Sequence, residues 1–268
     1  MTTRIDFRDC VHHGIAGPTA EHILASIRAE YCMPPSAPVA TTRGIPAKAV
    51  AIQAEDFSGL ERALGASAFR QLLSDLRRSP GGRNDLGQLP DFLARHRYGR
   101  ATAALVDLAR LELALSLSER APAVPSIGAC CLPPPLLRAH PDLTLVLHPA
   151  WQWLDLDHPA DHWRNALLGH DAAGAPPPLP RATRLRLCPE QGRTTAQRLS
   201  PAVFAFEHAL RDGATLRQAG AAAGAHTASF DAMQCLLPLL MAGAVIDVDL
   251  HPAHAAPNPN QPTISQQR

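Results

Sequence analysis

"HPDLTLVLHPAWQWLDLDHPADHW" (residues 140–163) holds all three tryptophans of the chain and four of its thirteen histidines. Its first part has the alternation of strands. "LTLVL" is a short β-type run, and "AWQWLDLD" sets Trp151, Trp153 and Asp155 on one face against Gln152, Leu154 and Leu156 on the other. "HPADH" then offers a helix start at Pro159. The stretch follows a proline-rich segment, "CCLPPPLLRAHP" (130–141), and marks a change from a helical first half to a mixed second half. The expected class is therefore α+β: an N-terminal helical bundle domain followed by a small antiparallel sheet with winged-helix-like helices.

Upstream, the apolar spacing is helical. "TAEHILASIRAEY" places Ile23, Leu24 and Ile27 at helical intervals after a candidate N-cap, Thr19, and a proline-rich connector follows over 32–46. In "SGLERALG", Ser58 with Glu61 three residues later predicts a capping box, and Gly65 supplies the stop. "ASAFRQLLSDLRRSPGG" gathers Phe69, Leu72, Leu73 and Leu76 on one face, and a shorter helix, "LPDFLARH", comes next. The strongest helix spans 100–120, with Leu105, Leu108, Ala109 and Leu115 in one stripe. Glu112 falls inside that stripe. A buried carboxylate needs partners, so it is expected to be a structural buried acid tied to an arginine or to backbone amides, in preference to a catalytic acid.

Downstream, "TRLRLCPEQGRTTAQRLS" (183–200) predicts a hairpin, with Leu185 and Leu187 opposite Arg184 and Arg186. Ser200 and Pro201 open a helix that ends at Gly213; two more helices and a closing strand, "AVIDVDL", follow. These spans predict a helical domain over 1–138, an α+β domain over 139–250 and a disordered tail over 251–268.

Composition restricts the function. Hydrophobic residues make up 46% of the 268, charged residues 18%, and the net charge is +1, so no broad basic field attracts nucleic acid or anionic lipid. No run of apolar residues is long enough to span a membrane, and the amino terminus lacks the apolar core of a signal peptide, which points to the cytoplasm and to no membrane partner. Six cysteines (Cys10, Cys32, Cys130, Cys131, Cys188, Cys235) lack ligand spacing and suit buried small hydrophobes. His158 and His162 lie four apart, yet Ala160 and Asp161 replace a zinc-protease signature, and no third ligand stands at a fixed offset. A GxSxG elbow and a phosphate-binding glycine loop are both missing. The expectation is a chain with no catalytic residue and no metal site of its own. A winged-helix DNA-binding regulator is the alternative, set against by a last helix, "TASFDAMQCLLPLLMAG", without lysine or arginine. Trp and Arg clustered in one small β region suit an edge that accepts an extended peptide. The expected docking edge is Arg184, Leu185, Arg186, Leu187 and Cys188, with Trp151 and Trp153 nearby, while Trp163 fills core.

"LVDLARLELALSLSERAPAV" together with "HPDLTLVLHPAWQWLDLDHPADHW" resembles the HvfC/BufC family, whose members carry a "DLARLE" helix and then a His-Pro-led strand ending near a tryptophan. "LGASAFRQLLSDL", "DLGQLPDFLARH" and "LSPAVFAFEHALRDGATLRQAGAAAG" match that family's other helices in order, so the resemblance covers roughly residues 55–245. Residues 1–54 depart from it, lacking the family's amino-terminal arginine–tyrosine helix region. That departure leans toward the specialised branch of methanobactin biosynthesis. The resemblance implies a non-catalytic partner subunit, without a cofactor of its own. Its partners would be a precursor peptide made on the ribosome and a TIM-barrel enzyme with a multinuclear non-haem iron centre. That enzyme oxidises the peptide's cysteines to copper-binding oxazolone–thioamide groups. The resemblance also implies that the peptide's leader adds to the sheet of this subunit, and it leaves the helical half, with the 100–120 helix, to face the enzyme.

Overall fold

The structure, a computed structural model, describes residues 52–79, 85–95, 102–127, 132–169, 176–190 and 193–250. The expected 19–31 helix, the connector and the tail lie outside them. A 3-10 turn, Ala54–Phe57, leads into α1 (Ser58–Leu64), then α2 (Ala66–Arg78), a second 3-10 turn (Leu86–Gln88), α3 (Leu89–Arg95) and α4 (Thr102–Glu119). After α5 (Pro134–Ala139) come β1 (Leu143–Leu147), β2 (Gln152–Leu156), α6 (Ala160–Leu168), β3 (Thr183–Glu190) and β4 (Arg193–Arg198). The chain closes with α7 (Pro201–Arg211), α8 (Leu216–Gly224), α9 (Ala232–Met241) and β5 (Val245–Leu250). The class is α+β, with helices first and small antiparallel sheets after them. No helix among the described residues is long and apolar enough to cross a membrane.

The amphipathic face of α2 is the one the spacing predicts: Phe69, Leu72, Leu73 and Leu76 are all buried. Gly65 ends α1 in the left-handed region, at φ 81°, where other residues are strained. The start of α1 differs from expectation. Ser58 is already helical, Phe57 holds the cap position, and no local side chain caps the turn. Capping comes instead from Glu112 of α4.

Helix α4 also differs from a one-stripe helix. Ala104, Leu105, Val106, Asp107, Leu108, Ala109, Leu111, Glu112, Ala114, Ser116 and Ser118 are buried, which covers most of its circumference, whereas Leu115 is only partly so. A helix apolar all round belongs inside the molecule. It packs on α1, α3 and α6 and against β2, β3 and β4.

The strands form two sheets. β1 and β5 pair antiparallel, and Thr215, just before α8, adds a single bridge to Thr144. The three helices α7–α9 followed by a strand that returns to β1 give the winged-helix-like connectivity. The other sheet runs β2–β3–β4, all antiparallel. Its Leu154, Leu156, Leu185 and Leu187 face α4, meeting Leu111 and Ala114. Its opposite face meets α7, where Trp151, Trp153 and Cys188 share a core with Phe204, Phe206 and Leu210. The sheet is thus the middle layer between the two helical groups. Trp163 and Leu167 of α6 complete the amino-terminal core around Phe57, Leu72 and Phe92, so that core extends past residue 138.

Candidate functional site

Strand order corrects the expected docking edge. β3, with Arg184, Leu185, Arg186, Leu187 and Cys188, is the central strand, and its backbone is engaged by β2 on one side and β4 on the other. Alternation of Leu and Arg suggested a strand with one solvated face, but both faces are covered. Leu185, Leu187 and Cys188 are buried, and Trp151 and Trp153 are each only 4% exposed. Leu185 and Leu187 lie under α4, whereas Trp151, Trp153, Arg184, Arg186 and Cys188 form a seam beneath helix α7.

A carboxylate organises the seam. Glu207 of α7, 1% exposed, accepts hydrogen bonds from Trp153 Nε1 at 2.7 Å and Arg186 Nη1 at 2.6 Å. Arg186 also donates to Gln197 Oε1 of β4, and its guanidinium lies 5.5 Å from the ring centre of Trp151. Burial pushes the Glu207 carboxyl above its ordinary range, against the pull of the Trp153 N–H and of Arg186. Burial likewise raises the Cys188 thiol, outweighing the nearby Arg186 charge, so Cys188 is not poised as a nucleophile. Two other arginines of the sheet are paired, Arg184 with Asp155 at 3.6 Å and Arg198 with Asp161 through two bonds of 2.7 and 2.8 Å, while Arg193 at the start of β4 is exposed. Arg184 additionally sits 5.9 Å from the ring centre of Phe204.

The sheet has two outer strands, β2 and β4, and β4 is the more exposed of them, with Arg193, Ala196, Gln197 and Arg198 exposed against Asp155 alone on β2. One face of β4 is held down by Thr194, whose hydroxyl lies 3.1 Å from Ser118 Oγ of α4, and by the Arg198–Asp161 pair to α6. On such an edge every second residue turns its N–H and C=O outward, and a guest strand can take up those groups. Sequence reasoning took β3 for an edge strand, whereas it is paired on both sides. The composition of "RTTAQR", short and polar with arginine at each end, is the signal that marks an edge.

Two buried acids of α4 anchor the frame beneath. Glu112 accepts from the backbone N–H groups of Gly59 (2.8 Å) and Leu60 (3.0 Å) and from Arg164 Nε (3.0 Å). Burial raises its carboxyl, while the two amides and Arg164 pull it back. This is an anchor, with all its partners structural. Asp107, missed from sequence, accepts from the His158 backbone N–H at 3.0 Å, and His158 Nδ1 stands 2.8 Å from the same oxygen. His158 is buried ahead of α6 and turned to Asp107, whereas His162 is exposed on α6, so the two do not converge as metal ligands.

No family model matches the chain, and no curated protein matches it. The case for function therefore rests on the site itself and on the resemblance in the sequence. One more surface bears on it. Helix α9 stands where a winged helix carries its reading helix, but it has no lysine or arginine and exposes Leu237 (45%) and Met241 (74%). Such a face offers phosphates nothing.

Proposed function

We propose that this chain is the non-catalytic, MbnC-like subunit of a cytoplasmic complex of methanobactin-type biosynthesis. In this reading it binds the leader of an MbnA-like precursor peptide as an added strand along β4. It thereby presents the peptide's cysteines to an MbnB-like TIM-barrel enzyme, whose multinuclear iron centre carries out the oxidation to oxazolone–thioamide groups. Support comes from the "DLARLE" and "HPDLTLVLHPAWQW" resemblance and, above all, from one observation: β4 is a short, exposed outer strand on a sheet clamped between α4 and α7. A rigid edge binds an extended peptide without first having to order itself, which favours affinity.

The site fits a backbone-reading partner better than an acid-reading one. Arg184, Arg186 and Arg198 already hold Asp155, Glu207 and Asp161, so main-chain pairing supplies most of the attraction. The test is calorimetric titration of the purified chain, alone and with its iron enzyme, with a synthetic leader peptide. Saturable binding, accompanied by new strand signal in isotope-edited infrared spectra, is expected. No affinity in either setting overturns the proposal. A DNA-binding reading would instead require affinity for duplex DNA that falls steeply as salt rises.

A further inference from the structure

Between α6 and β3 the chain runs through "PPPLPR", Pro176–Arg181, with no helix or strand assigned. Covalent geometry still restricts it. Four proline rings hold φ near −65°, and Pro176, Pro177 and Leu179, each followed by proline, are pushed out of the helical region. What remains is the extended left-handed polyproline II form, with three residues per turn, so that Pro177 and Pro180 share an edge. The carboxy-terminal end is fixed: the Arg181 backbone N–H donates to Asp157 O at 2.7 Å, and the Thr183 hydroxyl donates to Arg181 O at 2.9 Å. All of Pro176–Arg181 is exposed except Pro178, which is half-buried. Leu179 stands 84% exposed, more than any other large hydrophobic residue among those described. The Arg181 side chain is exposed and has no carboxylate partner among the described residues.

A linker between a helix and a strand needs neither feature. A polar residue would serve at 179, and the neighbouring sheet arginines Arg184, Arg186 and Arg198 hold Asp155, Glu207 and Asp161. A stiff proline strand with one outward leucine and one free guanidinium at its end is instead the form of a ligand. We infer that Pro176–Arg181 is a docking strand for a second protein, one with a groove walled by aromatic rings and closed at one end by a carboxylate. The prolines sit between the rings, Leu179 fills the intervening pocket, and Arg181 meets the acid. The strand is already extended, so little conformational freedom is lost on docking. This surface lies outside β4 and does not depend on the peptide-binding proposal.

The probe is an isolated WW-type domain selected for Pro-Pro-Leu-Pro ligands, titrated into the full chain while its groove tryptophan fluorescence is followed. Saturable binding is expected. Leu179→Ala should weaken it about tenfold or more, since a leucine pocket is emptied. Arg181→Ala should weaken it by a smaller factor, and Arg181→Glu more than Arg181→Ala. Leu179→Ala removes an exposed group, so its thermal midpoint should match that of the unaltered chain, which separates lost docking from lost folding. Two results overturn the inference. One is a full chain that fails to bind the probe although a synthetic peptide of residues 175–182 binds it. The other is binding that Leu179→Ala leaves unchanged.

Discussion

Glu112 and Glu207 solve the same problem in opposite halves of the chain. Each is a carboxylate almost without solvent, and each is held by donors from elements distant in sequence. Removing such a group strands its donors. Glu112→Ala leaves the Gly59 and Leu60 amides unsatisfied; Arg164 is partly exposed and can turn to water. The expected loss is about 3 kcal/mol, at the lower end for a broken buried pair, read as a drop in the urea midpoint at unchanged slope. The fit is close on the other side too. A Cβ on Gly59 would stand 2.8 Å from Glu112 Oε1, so Gly59→Ala should destabilise by about 1–3 kcal/mol even though alanine favours helix. Asp161 tests the electrostatics. Burial raises its carboxyl, but the Arg198 bonds, the His162 backbone N–H and nearby positive charge carry it below the ordinary 3.8. A depressed folded-state value contributes stability above the unfolded value, and that contribution is lost as pH falls through the folded one. Arg198→Gln should therefore raise the Asp161 carboxyl in an NMR titration and flatten the acid limb of stability below about pH 4. Glu112 was legible in the sequence because it interrupts an apolar stripe. Glu207 breaks the spacing of Phe204, Phe206 and Leu210 in the same way, and the same reasoning applied to α7 finds it.

At the scale of elements, periodicity located helices and strands well but did not rank strands within a sheet. Alternation in "TRLRLC" describes a strand with two different faces; it does not say whether the second face meets water or, as here, a helix carrying Glu207. Capping was misread for a related reason. Ser58 satisfies a local pattern, yet the cap of α1 arrives from residue 112, and no local rule encodes a contact across fifty residues. The resemblance motif gains a physical meaning from this. The two acids of "DLARLE" are the ones that hold His158 and the start of α1, so the motif and the His-Pro stretch are two sides of one joint. The edge role of β4 is open to direct test. Single proline substitutions at Thr195, Ala196 and Gln197 should divide by the direction of each N–H. Where it points outward, leader-peptide affinity should fall while the melting temperature holds; where it points to β3, the fold itself should weaken. Loss of stability at all three positions without any outward-type variant would show that β4 is not a free edge.

The whole molecule is tied together across its middle. The expected boundary near residue 138 matches a change in composition, but residue 138 itself lies within the short helix α5. The cores do not respect that boundary. Trp163 and Leu167, from beyond the boundary, fill space among Phe57, Leu72 and Phe92, and α4 offers Leu111 and Ala114 to the β2–β3–β4 sheet. A sequence reading assigns segments by local pattern and so cannot see that α6 returns to the first half. Burial of that α4 face is large enough to matter, since each leucine-sized side chain contributes about 1.5–3 kcal/mol when removed from water. Residues 1–138 expressed alone would lack the α6 tryptophan and expose the sheet-facing side of α4. That fragment should show broad, weakly cooperative melting and bind a hydrophobic dye. Adding residues 139–268 should restore a sharp transition, because Trp163 and the sheet return to their places. A fragment 1–138 that melts cooperatively by itself, with no change on adding the second half, would mean that the halves are independent and that the sheet is not a shared middle layer. The same coupling predicts that Trp163→Ala, in the intact chain, lowers the single unfolding midpoint for both halves together, by about 3–5 kcal/mol in stability, as followed by amide exchange in α2 and in β3.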